Sequence, residues 1–347
     1  FNLKNLKGLT KQLLFDLTKD QESALKEILV NLNDNNRMMR LLHGDVGSGK
    51  TVVAFLSALH VINSHHQVAI MVPTEILAKQ HFKVAQKIFK NINIRIELLV
   101  SSSNNKNQIY RGLFNGEIDL VIGTHALIQS KVQFKNLSYV VIDEQHRFGV
   151  EQRLKIRGKG KKVDMLLLSA TPIPRTMLLA TLGDINLSTI RNKPFNSKIN
   201  TIIKSEDNID NVILYLKNFI SKGQKVFWVC PMIDDEDETK SNIESRFKIL
   251  KKEIKNIDIL HGRLDELKKE EVLDNFKSGK ISLLICTIVI EVGVDIPNAN
   301  IILIDQAERF GMAQIHQLRG RVGRGKEDGV CILLYKNTLK EHSYQRL

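Results

Sequence analysis

Short apolar runs alternate with longer amphipathic ones along this 347-residue chain. In the first half the strand-like runs are Met39–Leu42, Val68–Val72, Ile96–Val100, Leu120–Gly123, Val140–Asp143 and Met165–Ser169, with helical spacing between several of them. Short unbroken apolar runs of this kind suit strands buried on both faces of a parallel sheet. Around Asn186–Ser205 the pattern breaks into a polar stretch with Asn192, Pro194, Asn196 and Asn200, which reads as a linker. It then restarts with a helix over Asn208–Ile220 and strands at Lys225–Val229, Ile257–Leu260, Leu283–Cys286, Ile301–Ile304 and Gly329–Leu334. A further helix is predicted over Leu264–Lys277. The pattern predicts two α/β domains in tandem, over 1–188 and 206–347, joined by a linker over 189–205. No repeat is visible between them. The acidic run Asp234–Glu238 reads most simply as a solvated loop, with metal binding as the other reading.

Composition narrows the class. With 43% hydrophobic and 26% charged residues the chain has the balance of a soluble globular protein. Its formal charge of +13 exceeds what solubility requires and points to a polyanionic partner, although a lysine-rich surface without a ligand fits equally. Cys230, Cys286 and Cys331 sit inside apolar runs without metal-ligand spacing, as reduced core residues of a cytosolic protein do. No apolar run approaches membrane-spanning length, and Phe1–Thr10 carries no signal-peptide core. The chain starts without a methionine and stops without a helix-ending signal, so it reads as a piece of a longer protein.

One octapeptide carries specific chemistry. GDVGSGKT, Gly44–Thr51, fits the phosphate-cradling pattern GxxxxGK[ST], following a strand-like run and preceding the helical VVAFLSALHVI. Gly44, Gly47 and Gly49 let backbone N–H groups point into one concavity, and the following helix adds its positive end. Lys50 is then expected to reach the terminal phosphates of ATP, and Thr51 to ligate Mg²⁺.

Three further motifs follow. VVIDEQH, Val140–His146, is a strand ending in two carboxylates, of which Asp143 suits a second Mg²⁺ ligand and Glu144 the group that orients or deprotonates water. By itself it is also an ordinary strand end before a charged turn. SATPIPRT, Ser169–Thr176, has the hydroxyls and prolines of a rigid turn able to reach that loop. AQIHQLRGRVGRG, Ala313–Gly325, spaces Gln314, Gln317, Arg321 and Arg324 at helical offsets, which predicts a polar, cationic stripe on one helix face. Two arginines aimed at one place match the neutralisation of a transferring phosphoryl group; a surface basic helix is the alternative.

In this order and at these separations, GDVGSGKT, DEQH, SATP and QLRGRVGR resemble motifs I, II, III and VI of superfamily 2 helicases. PTEILAKQH (Pro73–His81), GTHAL (Gly123–Leu127), VFWVCP (Val226–Pro231) and CTIVIEVGVDIPNA (Cys286–Ala299) resemble motifs Ia, Ib, IV and V. The wording DEQHRFGVEQR, ATPIPRT and QAERFG is similar to the RecG family of bacterial branch-migration helicases. The resemblance implies two RecA-like domains with an ATP site at their interface. It implies ATP and Mg²⁺ as cofactors and branched DNA as partner, for a monomer that also meets single-stranded DNA-binding protein. The activity implied is fork regression and Holliday-junction migration in recombination and repair. Residue by residue, it puts Lys50 and Thr51 on phosphate and Mg²⁺, Asp143 and Glu144 on Mg²⁺ and water, and Arg321 and Arg324 on the γ-phosphate. Asp295 would meet the ribose, while Phe15 stacks on adenine and Gln21 hydrogen-bonds it. Pro73, Thr74, Thr124, His261 and Thr287 would line the DNA path, gripping phosphates without reading sequence. The family's fork-splitting wedge domain and the hairpin beyond motif VI are not fully present. A general duplex translocase of the transcription-repair coupling type, or a nucleic-acid-binding remnant with a decayed ATPase, are the rival readings.

Overall fold

The computed structural model describes residues 16–170, 185–192, 198–231, 236–287, 299–323 and 328–336. The chain divides into two units, Phe1–Pro194 and Phe195–Leu347. In the first unit, β1 (Met39–Gly44), β2 (Gln67–Met71), β3 (Ile96–Leu99), β4 (Leu120–Gly123), β5 (Leu137–Ile142), β6 (Asp164–Ser169) and β7 (Asn186–Ile190) form one sheet. Its order is β3-β4-β2-β5-β6-β1-β7, with every pairing parallel. Helices α1 (Lys19–Leu32), α2 (Lys50–Ile62), α3 (Glu75–Ile88), α4 (Lys106–Asn115) and α5 (Val150–Arg157) accompany it.

The unbroken apolar runs have their reason in the two faces. Leu42, Ile70, Val141 and Leu168 pack with Leu25 of α1, Phe55 of α2 and Leu77 of α3. Their neighbours Leu41, Met71, Val140 and Leu167 point the other way, toward Ile109 of α4 and Ile156 of α5. Successive strand residues alternate sides, so covering both faces demands an apolar side chain at every position. Truncating one of these fully buried leucines to alanine costs about 2–5 kcal/mol in comparable cores.

The second unit holds β8 (Ile199–Ser205), β9 (Lys225–Val229), β10 (Ile257–Leu260), β11 (Leu283–Cys286), β12 (Ala299–Ile304) and β13 (Gly329–Tyr335). They lie in the order β10-β11-β9-β12-β13-β8, again all parallel. Helices α6 (Ile209–Ser221), α7 (Glu236–Glu253), α8 (Glu266–Ser278) and α9 (Met312–Arg319) accompany this sheet. Trp228, Ile285, Leu303 and Ile332 form its core with Leu216 of α6 and Leu250 of α7. Cys230, Cys286 and Cys331 are free and buried there, and burial pushes all three thiols up, that of Cys331 to about 12. Among the described residues no helix is long and apolar enough to cross a membrane.

The structure corrects three sequence expectations. The polar stretch read as a linker carries a strand at each end, because β7 and β8 are edge strands that bury little and so need few apolar residues. β7 is held by polar contacts instead: Ser188 bonds Arg40 of β1 and Glu27 of α1, and Asp20 accepts the N–H groups of Arg191 and Asn192. The acidic run is not wholly a loop, since Glu236 already belongs to α7. Finally, a repeat does exist. Without β7 the first sheet has the strand order of the second. Ile142–Gln152 and Ile304–Gln314 share Ile, Asp, Arg, Phe, Gly and Gln at the same offsets. Both segments leave their strand through a left-handed residue, Glu144 (φ 49°, ψ 53°) and Gln306 (φ 49°, ψ 54°), and enter a helix capped by a glutamine side chain.

Candidate active site

The phosphate loop joins β1 to α2 at the carboxyl edge of the first sheet, where open α/β sheets place their ligands. α2 starts at Gly49 in the left-handed conformation (φ 85°) with no side-chain cap, so its first N–H groups are directed at the loop. The three glycines of the loop answer different needs. Gly44 pairs with Ile190 of β7, and a Cβ there would lie 2.8 Å from the Ile190 carbonyl. At Gly49 a Cβ would fall 2.2 Å from the Gln21 amide nitrogen, whereas at Gly47 (φ 82°) it would meet nothing within 4 Å. Only at Gly47 is the demand purely one of backbone conformation over open space, as a cradle for phosphates requires.

Gln21 braces this loop. Its Oε1 accepts from the Thr18 N–H (2.9 Å), its own N–H donates to the Thr18 hydroxyl (3.3 Å), and its Nε2 donates to the Ser48 carbonyl (2.8 Å). The residue assigned to adenine is thus also the tie between the start of α1 and the loop, a role that spacing alone did not reveal.

Lys50 and Asp143 come together although they are remote in sequence. The Lys50 Nζ lies across the loop, donating to the carbonyls of Gly44 (2.6 Å) and Asp45 (2.9 Å). Asp143 follows β5, and its N–H bonds the Met71 carbonyl at the end of β2 (2.9 Å). Its Oδ1 accepts the Glu144 N–H (2.9 Å) and its Oδ2 accepts from the His81 Nε2 on α3 (2.9 Å). Burial alone would push this carboxyl up; the His81 bond and charge, with Lys50 close by, outweigh it and hold the carboxyl below its ordinary value. Asp143 is therefore an anion beside the phosphate loop. That is the donor a Mg²⁺ ion requires, with the Thr51 hydroxyl at the head of α2 as a second hard oxygen ligand. Glu144 sits in the left-handed turn, an uncommon conformation for a residue with a long side chain, and His146 Nδ1 is 3.7 Å from its carboxylate. Burial, then Arg147, keeps the His146 imidazole below its usual pKa and so biased to the neutral form.

Other expected residues fare differently. Phe15, Asp295, Arg324 and most of SATPIPRT lie outside the described residues. Pro73, Thr74 and His261 are half-buried at carboxyl ends of strands, Thr74 serving as N-cap of α3. Thr124 and Thr287 are only 1% and 3% exposed, so their hydroxyls are not surface groups. The cationic stripe does not form: α9 ends at Arg319 with Gly320 as its cap, and Arg321 sits in the following turn, its N–H on the Leu318 carbonyl (2.9 Å). The helix stops before Arg321, so this arginine does not join Gln314 and Gln317 on its face. The Arg321 side chain is buried instead. A wide cleft of about 720 Å³ opens at the opposite, amino edge of the first sheet among His60, Lys135, Lys159 and Lys161. It is remote from the phosphate loop, and its Lys159 ammonium is engaged by the carbonyls of Gln129 and Val132.

The DEAD/DEAH box helicase family matches residues 18–179, and the helicase conserved C-terminal domain family matches residues 208–326. The chain is 44% identical to the ATP-dependent DNA helicase RecG of Thermotoga maritima, over 97% of this chain and 44% of that protein. It is 41% identical to the RecG of Bacillus subtilis, over 96% of this chain and 50% of that protein. The chain belongs to the helicases, and its likeness within them is to RecG. A structure of RecG bound to a three-way DNA junction is similar with a TM-score of 0.82 and 40% identity, over 99% of this chain and 46% of that one. Yeast Dbp5 bound to RNA and ADP BeF3 shares the fold, with a TM-score of 0.75 at 22% identity. The chain spans about half the length of the RecG proteins it matches.

The second unit shows what the same turn becomes without a phosphate loop. Asp305 occupies the place of Asp143, its N–H on the Val229 carbonyl (2.8 Å), yet β8 runs into Glu206 rather than into a glycine loop. Arg246 of α7 grips Asp305 through Nε to Oδ2 (2.7 Å) and Nη2 to Oδ1 (3.2 Å), and also bonds Glu206. The Trp228 indole N–H completes the shell at 3.0 Å. A guanidinium thus neutralises the carboxylate. Arg246→Met should destabilise the second unit by about 3–5 kcal/mol, because a carboxylate only 1% exposed loses its counter-charge. Urea unfolding checks this, and Arg246→Met with Asp305→Asn should recover much of the loss.

Proposed function

We propose that this chain hydrolyses ATP with Mg²⁺ and couples the hydrolysis to movement on branched DNA. The observation that carries the reading is the Asp143 carboxylate, held by His81 at the same sheet edge as Lys50 and the phosphate loop. In this reading the N–H groups from Gly47 to Thr51 and the Lys50 ammonium bind the phosphates. Thr51 and Asp143 hold Mg²⁺, which supplies neutralisation of the phosphate charge when bound. Glu144 orients the attacking water and takes its proton, while Arg321 and Arg324 answer the γ-phosphate, Asp295 the ribose, and Phe15 and Gln21 the adenine. Hydrolysis measured with and without a three-way junction tests the whole. Mg²⁺-dependent turnover that rises more with the junction than with linear duplex is expected; equal rates on both would remove branched DNA from the reading.

Branched DNA as the partner rests on the similarity to RecG and on the +13 charge. Pro73, Thr74 and His261 are retained for the DNA path, and the buried Thr124 and Thr287 are assigned to it through their backbone. Contacts to phosphates make affinity steep in salt and blind to sequence: six to ten of them cost about 10³–10⁵ in affinity between 50 and 200 mM salt. A salt series on unrelated junction sequences checks this, and a shallow slope with marked sequence preference contradicts it.

A further inference from the structure

We infer that His81 is the positioning residue of the Mg²⁺ site, holding Asp143 through one oxygen while leaving the carboxylate open to a metal. The inference rests on the reading of Asp143 as a Mg²⁺ ligand. His81 is 7% exposed, on the second turn of α3. The Phe55 ring of α2 meets its imidazole edge to face, at 6.1 Å between centroids. The ring thus packs on the helix that follows the phosphate loop while its Nε2 donates to Asp143 Oδ2. The other oxygen, Oδ1, takes the Glu144 N–H of its own turn. Each oxygen of a carboxylate has two lone pairs, so one donor apiece fixes the group without filling it.

The second unit supplies the contrast. α7 follows β9 as α3 follows β2, and its Arg246 reaches Asp305 as His81 reaches Asp143. There both oxygens meet one guanidinium and Oδ2 meets the Trp228 indole as well, so Asp305 takes three fixed donors and a guanidinium's charge where Asp143 takes two donors. The same turn thus holds an aspartate open under a single-donor imidazole and closes it under a forked cation. What separates the metal-binding aspartate from the structural one is therefore the residue on the neighbouring helix as well as the loop beside it. Outer partners of this kind commonly govern metal affinity by about 10–100-fold.

Three variants test this: His81→Leu, which keeps apolar volume without a donor, His81→Gln, which keeps a single donor, and His81→Arg, which copies the second unit. The readouts are the Mg²⁺ concentration giving half-maximal hydrolysis and the gain in affinity for a fluorescent ADP on adding Mg²⁺. His81→Leu should raise the Mg²⁺ requirement about 10–100-fold while metal-free ADP binding stays as in the parent. His81→Gln should restore most of the response, and His81→Arg should lose the Mg²⁺ gain altogether. Should His81→Leu fail to fold, the contrast between the Gln and Arg variants carries the test. An unchanged Mg²⁺ requirement in His81→Leu or His81→Arg overturns the inference. Asp143→Asn separates the two levels: no effect there overturns the Mg²⁺ reading itself, whereas a lost response in Asp143→Asn with a normal one in the His81 variants overturns only the role of His81.

Discussion

Lys50→Ala should reduce ATP hydrolysis by at least about 10³-fold and weaken nucleotide binding together with it. Its ammonium lies across the loop, within 2.6 and 2.9 Å of the Gly44 and Asp45 carbonyls, and it sits on the first residue of α2. A charge-assisted hydrogen bond contributes about 1.5–3 kcal/mol in the bound state. A fixed donor aimed at developing charge contributes roughly 10²–10³ more in rate. Both are lost at once, which is why affinity and turnover should fall in the same variant. Gly44 is buried and Asp45 half-buried, so a urea midpoint measured beside the kinetics separates lost chemistry from lost folding. Lys50→Met, with the stem retained, should behave like Lys50→Ala. Steady-state hydrolysis and titration with a fluorescent ADP measure the two effects, and turnover within a few-fold of the parent would remove Lys50 from the phosphate site.

Parts of this architecture are legible in the sequence because they depend on burial and on backbone conformation. β4 and β11 coincide with their apolar runs because strands covered on both faces must be apolar throughout. The phosphate loop is legible because left-handed positions such as Gly47 and Gly49 restrict residue choice. The edge strands β7 and β8 were hidden by their polar residues, whose partners, such as Arg40 and Glu27 for Ser188, are far away in sequence. Arg321 was misplaced because helical offsets assume an unbroken helix, and Gly320 ends it. His81 was legible as part of PTEILAKQH, but its work depends on Asp143 arriving from another strand, which no local pattern encodes. The repeat was hidden for a similar reason. Ile142–Gln152 and Ile304–Gln314 agree in Ile, Asp, Arg, Phe, Gly and Gln, and differ at the left-handed residue, Glu144 against Gln306, which carries the proposed base.

That difference sharpens the second large prediction. Glu144→Gln should keep ATP affinity near that of the parent and lower hydrolysis by about 10²–10⁴-fold, the contribution of a positioned general base. The usual objection to such a variant is that a left-handed residue is sensitive to replacement, so that lost activity reports lost folding. Here the chain contains its own control. Gln306 occupies the same turn with φ 49° and ψ 54°, against 49° and 53° for Glu144, and is followed by the same short helical turn, Phe–Gly and a capped helix. A glutamine therefore suits this backbone as it stands. The bond from the residue 144 N–H to Asp143 Oδ1 does not involve the side chain and is retained. What changes is the side chain's capacity to accept a proton: the amide still hydrogen-bonds but cannot take one. Binding measured by fluorescent nucleotide and rate measured by phosphate release should thus separate. If affinity and rate collapse together while the urea midpoint is unchanged, Glu144 holds nucleotide instead of activating water, and the base must be sought elsewhere on the β5 edge.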